Sequence, residues 1–168
     1  MSYIIYRKAS TMVLLPLLLL IVVSFSPLLF AAEAPAFQLP TNAESVSLEK
    51  LRGKVVYLDF WASWCSPCRK SFPWMNEIQS KYKNKGLVVV AVNLDKSKDK
   101  ADEFLNDFET NFTVAFDPEG KTAEDYKVMG MPSSYLIDRN GQLHMSHIGF
   151  RESDTDELET KIRDLLKQ

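Results

Sequence analysis

Both cysteines of the chain lie in one short segment, Trp64-Cys65-Ser66-Pro67-Cys68. Two thiols separated by two residues can form a redox couple, one half of a metal site or a structural cross-link. A structural disulfide stabilises a fold mainly by closing a long loop, and a Cys65–Cys68 bond would close almost no chain. The spacing therefore argues against a structural cross-link and leaves redox chemistry and metal binding to be compared.

A predicted strand leads into this segment and a predicted helix leads out of it. Lys54–Trp61 is rich in β-branched and aromatic residues, which is typical of a strand buried on both faces. The apolar residues that follow at helical spacing are Phe72, Met75, Ile78 and Tyr82. This spacing predicts a helix from about Cys65 to Tyr82.

The rest of the chain alternates between the two kinds of element. Strands are predicted over 87–94, 112–116, 134–138 and 142–150, and helices over 99–109, 121–126 and 153–166. Asn140-Gly141 is a strong signal for a hairpin between the last two strands. Strands joined by helices pair in parallel, whereas a hairpin is antiparallel. The order therefore predicts the α/β class, with a three-layer sandwich around a mixed central sheet.

The start of the predicted helix is a favourable place for a reactive thiol. The first turn of a helix has unpaired N–H groups and a partial positive charge, which stabilise a thiolate. We expect Cys65 to be exposed and nucleophilic, and Cys68, one turn further on, to be the shielded resolving thiol. Pro67 suits the first turn, where its missing N–H has no consequence. Trp64 is expected to shield one side of the pair.

Asp59 is a carboxyl in the middle of an otherwise apolar strand. Burial of an unpaired charge is unfavourable and usually raises the pKa of a carboxyl. One interpretation is a structural acid paired with a lysine or held by backbone amides. The other is a buried general acid and base that exchanges a proton with Cys68 during disulfide exchange.

The N-terminal segment is predicted to be an export signal rather than part of the fold. Arg7 and Lys8 precede an uncharged run from Val13 to Phe30, which fits a cleaved signal peptide or a retained membrane tether. The predicted boundary places this leader at residues 1–34 and one domain at 35–168. Because the basic residues stay inside, both alternatives place the domain in the periplasm or on the extracytoplasmic face of the inner membrane.

The charge balance argues against a nucleic-acid partner. The formal net charge is −2, and 22 acidic residues face 18 basic ones once Arg7 and Lys8 are set aside. A nucleic-acid-binding face would instead be basic.

The chain resembles a known family over nearly all of residues 37–167. The segment KVVYLDFWASWCSPCRKSFPWM resembles the active-site segment of thioredoxin-fold proteins, and the stretches around VVVAVNLDKS and VMGMPSSYLID are similar to those of TlpA/ResA/CcmG-type thiol–disulfide oxidoreductases. The resemblance implies that Met131-Pro132 is a cis peptide facing the disulfide. It also implies that Met131 offers backbone groups to an extended substrate beside Cys65.

The resemblance further implies a redox-active disulfide with no other cofactor, protein thiols or disulfides as substrates, and a membrane electron donor. It favours reduction of exported disulfides, with the haem-site cysteines of apocytochrome c among the candidates. Two residues depart from the family pattern. Many members have a neutral residue at the position of Asp59, and some carry a substrate-selecting glutamate where this chain has Lys96. Asp95 is the one acid left in that loop to take its place.

Two alternatives to redox turnover remain. Cys65, Cys68, His144 and His147 supply the ligand types of a zinc or copper site. However, two histidines three residues apart on a regular strand point to opposite faces and need a bulge to share a metal. A binding module without redox turnover is the second alternative, and two intact cysteines argue against it.

Overall fold

The structure is a computed structural model that describes Met1 and residues 32–168. The apolar run predicted to be a signal or tether lies outside the described residues. Among the helices that are described, none is both long and apolar enough to cross a membrane.

Within the described residues, eight strands form one six-stranded sheet and one two-stranded sheet. They are β1 (Ala32–Glu33), β2 (Gln38–Leu39), β3 (Val46–Ser47), β4 (Val55–Trp61), β5 (Leu87–Asn93), β6 (Thr113–Phe116), β7 (Ser133–Ile137) and β8 (Gln142–Ile148). The large sheet has the order β1-β8-β7-β4-β5-β6, and β2 pairs with β3. β4, β5 and β6 are parallel, whereas β7, β8 and β1 are antiparallel to their neighbours. The prediction of a mixed sheet is confirmed.

Four α-helices accompany the strands in this described part of the chain. They are α1 (Ser66–Tyr82), α2 (Lys98–Leu105), α3 (Lys121–Asp125) and α4 (Thr155–Leu166). The first helix and the last agree with the predicted ranges within two residues. α2 ends four residues before its predicted end at 109, because Asn106 and Asp107 favour turns over helix.

The central strand β4 is buried along its whole length. Its side chains alternate between two apolar clusters, as the period of two in a strand requires. Tyr57 and Trp61 join the cluster that contains residues of α1, α2 and α4. Leu58 and Phe60 join the opposite cluster, which contains α3 and the segment around β2 and β3. The two clusters make the sheet the middle layer of a three-layer α/β sandwich, as predicted.

The sheet begins before the predicted domain boundary at residue 35. Ala32 pairs with Leu143 and Glu33 with Gln142, so β1 adds an edge to β8. The Glu33 carboxylate also lies 2.9 Å from a guanidinium nitrogen of Arg52. The described fold thus includes residues that the sequence interpretation assigned to the leader.

Candidate active site

The two cysteines are bonded to each other at the start of α1. Cys65 is the residue that caps the helix, and its Sγ lies 3.2 Å from the backbone N of Cys68, which donates to it. Pro67 lies in the first turn, as predicted, and its side chain is exposed. β4 ends at Trp61, so three residues separate the central strand from the disulfide.

The expectation that Cys65 is exposed is wrong for this disulfide-bonded form. Only 3% of Cys65 is exposed, and Cys68 is fully buried. Both residues belong to the apolar cluster beneath α1. The physical reason is the bond itself, because it holds the Cys65 sulfur against a buried partner and packs both beside apolar side chains.

The expectation that Trp64 shields one side of the pair stays a prediction. Trp64 is 73% exposed, so most of its side chain faces solvent. It forms one wall of a surface groove, and that groove also contains Arg69 and Phe104. The ring remains available to contact another molecule that approaches the disulfide.

The Met131–Pro132 peptide is cis in the structure. Pro132 is buried, and its carbonyl accepts a hydrogen bond of 2.7 Å from the N–H of Gly149. Met131 is half-buried and packs against the apolar cluster that contains both cysteines. Within the described part of the chain, neither the N–H nor the C=O of Met131 has a hydrogen-bond partner. Its backbone is therefore available to an extended segment.

Asp59 is 1% exposed and lies on the face of β4 that looks towards α1. Among residues 32–168, neither of the structural partners considered for it, a lysine or backbone amides, is present. Its Oδ1 accepts a hydrogen bond of 2.8 Å from the Ser134 hydroxyl, and its Oδ2 has no hydrogen-bond partner among the described residues. Burial raises the pKa of Asp59 to about 7, and the Ser134 hydrogen bond opposes this rise.

Ser134 and Tyr57 were not predicted from the sequence to belong to the site. Ser134 lies directly opposite Asp59 across the β4–β7 ladder, and the Tyr57 hydroxyl donates to Ser134 Oγ at 2.7 Å. Tyr57 and Asp59 are two residues apart on one strand and so share a face, which is a signal that the sequence does contain. The partner on β7 could be found only from the register of the sheet.

A second acid, Asp95, holds the loop before the disulfide. Asp95 is buried at the end of β5, and its carboxylate accepts hydrogen bonds from Ser63. The neighbouring Lys96 points elsewhere, since its Nζ donates to the carbonyl of Pro118 at 2.6 Å. The carboxylate of Asp95 therefore binds the segment that leads to Cys65.

The two histidines lie against different carboxylates. β8 contains an irregularity at His144, because Leu136 pairs with Met145 and Ile137 with Leu143. The Nε2 atom of His144 nevertheless lies 2.8 Å from Asp138, and that of His147 lies 3.4 Å from Asp154. Within the described residues, no three His, Cys, Asp or Glu side chains form a group that could hold a metal ion.

The sequence of this chain is similar to those of a known protein family. The model of the AhpC/TSA family matches residues 30–146. "Thiol-disulfide oxidoreductase ResA" of Oceanobacillus iheyensis is 39% identical over 115 residues, which are 66% of this chain and 60% of that protein. The protein of the same name from Bacillus cereus is 37% identical over 128 residues, which are 76% of this chain and 73% of that protein. The matched region thus covers less than two thirds of the length of the first relative and more than two thirds of the length of the second.

A solved structure extends the likeness to the fold. It is described as a putative thiol:disulfide interchange protein DsbE from Chlorobium tepidum, and it is 54% identical to this chain. The TM-score is 0.80, and the match covers 82% of this chain and 97% of that one. The resemblance inferred from the motifs is therefore confirmed. The chain belongs to the AhpC/TSA family, among its thioredoxin-fold thiol–disulfide oxidoreductases.

Proposed function

We propose that this chain is an exported thiol–disulfide oxidoreductase that reduces disulfides of envelope proteins. The observation that carries the proposal is the position of the Cys65–Cys68 disulfide at the start of α1, where it closes a loop too short to stabilise the fold. The two curated relatives described above are named thiol-disulfide oxidoreductases. A disulfide at this position serves as a two-electron couple.

The reaction proceeds through two exchanges. In the reduced protein the Cys65 thiolate attacks one sulfur of a substrate disulfide, forms a mixed disulfide and releases the other substrate sulfur as a thiolate. Cys68 then loses its proton and attacks the Cys65 sulfur, which releases the second substrate thiolate and restores the Cys65–Cys68 bond. The substrate gains two electrons and the cysteine pair loses two.

Asp59 is the proposed proton acceptor for the second exchange. Its carboxyl is buried on the same face as the cysteine cluster, and one oxygen is free of partners among the described residues. A pKa of about 7 lets the group both accept and return a proton near neutral pH. The proton that leaves Cys68 passes to Asp59, and the reverse reaction returns it.

The substrate segment is proposed to lie along Met131 and Pro132. The free N–H and C=O of Met131 suit the addition of an extended strand. Exposed apolar side chains lie close to this backbone in the chain or the sheet, with Met129 85% exposed and Ile148 56% exposed, and Trp64 directly before Cys65 is 73% exposed. We therefore expect substrates with apolar residues beside the reactive cysteine.

The direction of electron flow is tested by the reduction potential. The potentials of dithiol proteins of this kind run from about −270 mV for thioredoxin to about −120 mV for a strong oxidant. A reductase should equilibrate with glutathione at the lower end of this range, below about −220 mV. A potential near −120 mV would instead mean that the protein oxidises its substrates, and the reductase proposal would be abandoned.

The physiological partners belong to the same proposal. A reductase outside the cytoplasm needs a dithiol donor that brings electrons across the membrane, and the run from Val13 to Phe30 would hold the domain near it. Apocytochrome c is one candidate substrate. The Cys68→Ser variant should retain substrates as mixed disulfides in the envelope, and mass spectrometry of these adducts would identify the substrates directly.

A further inference from the structure

Three buried side chains form a connected row of hydrogen bonds, and one of them, Tyr57, belongs to the apolar cluster that contains both cysteines. Tyr57 and Asp59 lie on β4, and Ser134 lies on β7 opposite Asp59. The Tyr57 hydroxyl donates to Ser134 Oγ at 2.7 Å, and Ser134 Oγ donates to Asp59 Oδ1 at 2.8 Å. None of the three is more than 2% exposed. Water therefore does not replace these hydrogen bonds.

The direction of the row is fixed by the number of protons available. An ionised carboxylate can only accept, so the single proton of the Ser134 hydroxyl must point to Asp59. The lone pairs of Ser134 then face Tyr57, whose hydroxyl proton must point to Ser134. A hydrogen bond to an ionised group is stronger than one between neutral groups. The row consequently favours the ionised form of Asp59.

Little else near Asp59 offsets its burial. Among the described residues, Asp59 forms no ion pair, and the residue of β5 that lies opposite it is Ala91. The titratable groups on the remaining neighbouring elements are Tyr57 on β4, Cys65 and Cys68 at α1, and His147, which lies opposite Ser134 on β8. α4 presents apolar side chains to this cluster, namely Leu158, Ile162 and Leu165. The Ser134 hydroxyl is thus the group in direct contact that stabilises the carboxylate.

We propose that Ser134, oriented by Tyr57, sets the acidity of Asp59 and so the pH range in which Asp59 accepts the proton of Cys68. Ser134 and Tyr57 are positioning residues, because they act through Asp59 and not on the reacting sulfurs. The link to Cys68 rests on the proposed function. The effect on Asp59 itself does not, and it can be measured without substrate.

The test is a titration of the Asp59 carboxyl by ¹³C NMR in the full chain, in both redox states. Loss of a hydrogen bond to a charged group in Ser134→Ala should raise the Asp59 pKa by about one to two units. Tyr57→Phe should raise it by a smaller amount, because the serine hydroxyl loses its polarising donor. Ser134→Thr keeps the hydroxyl and should restore a pKa close to that of the native protein.

Tyr135→Phe is the matched control. The Tyr135 hydroxyl donates to the carbonyl of Tyr126 at 2.8 Å and is buried on the opposite face of the sheet. This variant therefore loses a buried hydroxyl without touching Asp59, and its Asp59 titration should not move. If Ser134→Ala folds and leaves the Asp59 titration unchanged, the inference is wrong. If Ser134→Ala does not fold, an unchanged titration in Tyr57→Phe overturns the orienting role of Tyr57.

Kinetics separate this inference from the proposed function. The pH profile of the resolving step should move with the Asp59 titration in Ser134→Ala. If Asp59→Asn resolves mixed disulfides at the native rate, the proton role of Asp59 in the proposed function fails. In that case a shifted carboxyl titration in Ser134→Ala would still establish that Ser134 controls the acidity of Asp59.

Discussion

Asp95 holds Ser63 through both oxygens of its carboxylate. The Ser63 N–H donates to Oδ2 at 2.8 Å and the Ser63 hydroxyl donates to Oδ1 at 2.9 Å. The side chain of Asn93 donates to the same Oδ2 at 2.7 Å, and the Asp95 N–H donates back to Asn93. Ser63 lies two residues before Cys65, so the end of β5 fixes the loop that delivers the first cysteine.

Replacing Asp95 with alanine should loosen this loop. Two hydrogen bonds of Ser63 and one of Asn93 are lost together, and a hydrogen bond contributes roughly 0.5–1.5 kcal/mol net. We expect a loss of about 2–4 kcal/mol in the free energy of unfolding and a slower first attack by Cys65. Urea unfolding and stopped-flow disulfide exchange measure the two effects.

Asp107→Ala is the control for this variant. Asp107 pairs with Arg69 on the rim of the groove beside Trp64, and both side chains are largely exposed. Exposed ion pairs contribute about 0–1 kcal/mol, so this change should have little effect on unfolding. Equal losses of unfolding free energy in Asp95→Ala and Asp107→Ala would show that the Ser63 contact stabilises the fold no more than an exposed ion pair does.

The stability of the protein should depend on the charge of Asp59. Its pKa lies at about 7 in the folded protein and at 3.8 in an unperturbed chain. Between these values the folded state binds the proton that the unfolded state releases. Stability therefore falls as the pH rises from about 4 to 7, and the loss is complete above 7. The difference corresponds to about 4 kcal/mol.

Asp59→Asn removes this dependence. The variant should be more stable than the native protein at pH 8, by on the order of 2–4 kcal/mol, and nearly equal to it at pH 4. Urea unfolding of the oxidised proteins at both pH values is the measurement. A gain of the same size at pH 4 and pH 8 would mean that packing, and not charge, explains the difference. A loss at pH 8 would favour a structural role for the carboxyl.

The sequence predicted the architecture because its signals are local. Lys54–Trp61 and 87–94 are long β-branched runs, and Asn140-Gly141 requires a turn, where Gly141 has a φ of 76°. The position of the cysteines between a strand and a helix follows from the same patterns. These features belong to short stretches of chain and do not depend on long-range packing.

The remainder of the site depends on contacts between distant segments. Ser134 is an ordinary small residue in its strand, and only the pairing of β4 with β7 shows that it contacts Asp59. Asp95 became important because the loop after β5 meets Ser63, 32 residues earlier. The exposure of Cys65 was predicted wrongly for the same reason, since the disulfide and the neighbouring helices decide which surface is covered.

The two cysteines should have different reactivity once the disulfide is reduced. Cys65 caps α1, where the free N–H groups of the first turn stabilise its thiolate, whereas Cys68 lies inside the helix. Cys65→Ser should abolish disulfide exchange, and Cys68→Ser should accumulate mixed disulfides. Timed alkylation of the reduced protein followed by mass spectrometry should find Cys65 labelled first. Labelling of Cys68 before Cys65 would reverse the assignment of roles.

Export of the chain predicts both a location and an N-terminus that can be measured. If the run from Val13 to Phe30 directs export, protease should reach the domain only after the outer membrane is opened, and a cytoplasmic domain would contradict the proposal.

Cleavage after Ala34 or Ala36 removes β1, and with it the contact between Glu33 and Arg52. A retained tether keeps β1 paired with β8. The intact mass of the purified protein distinguishes the two forms. Amide exchange at Leu143 should be slower in the form that keeps β1, because β1 then covers the edge of β8.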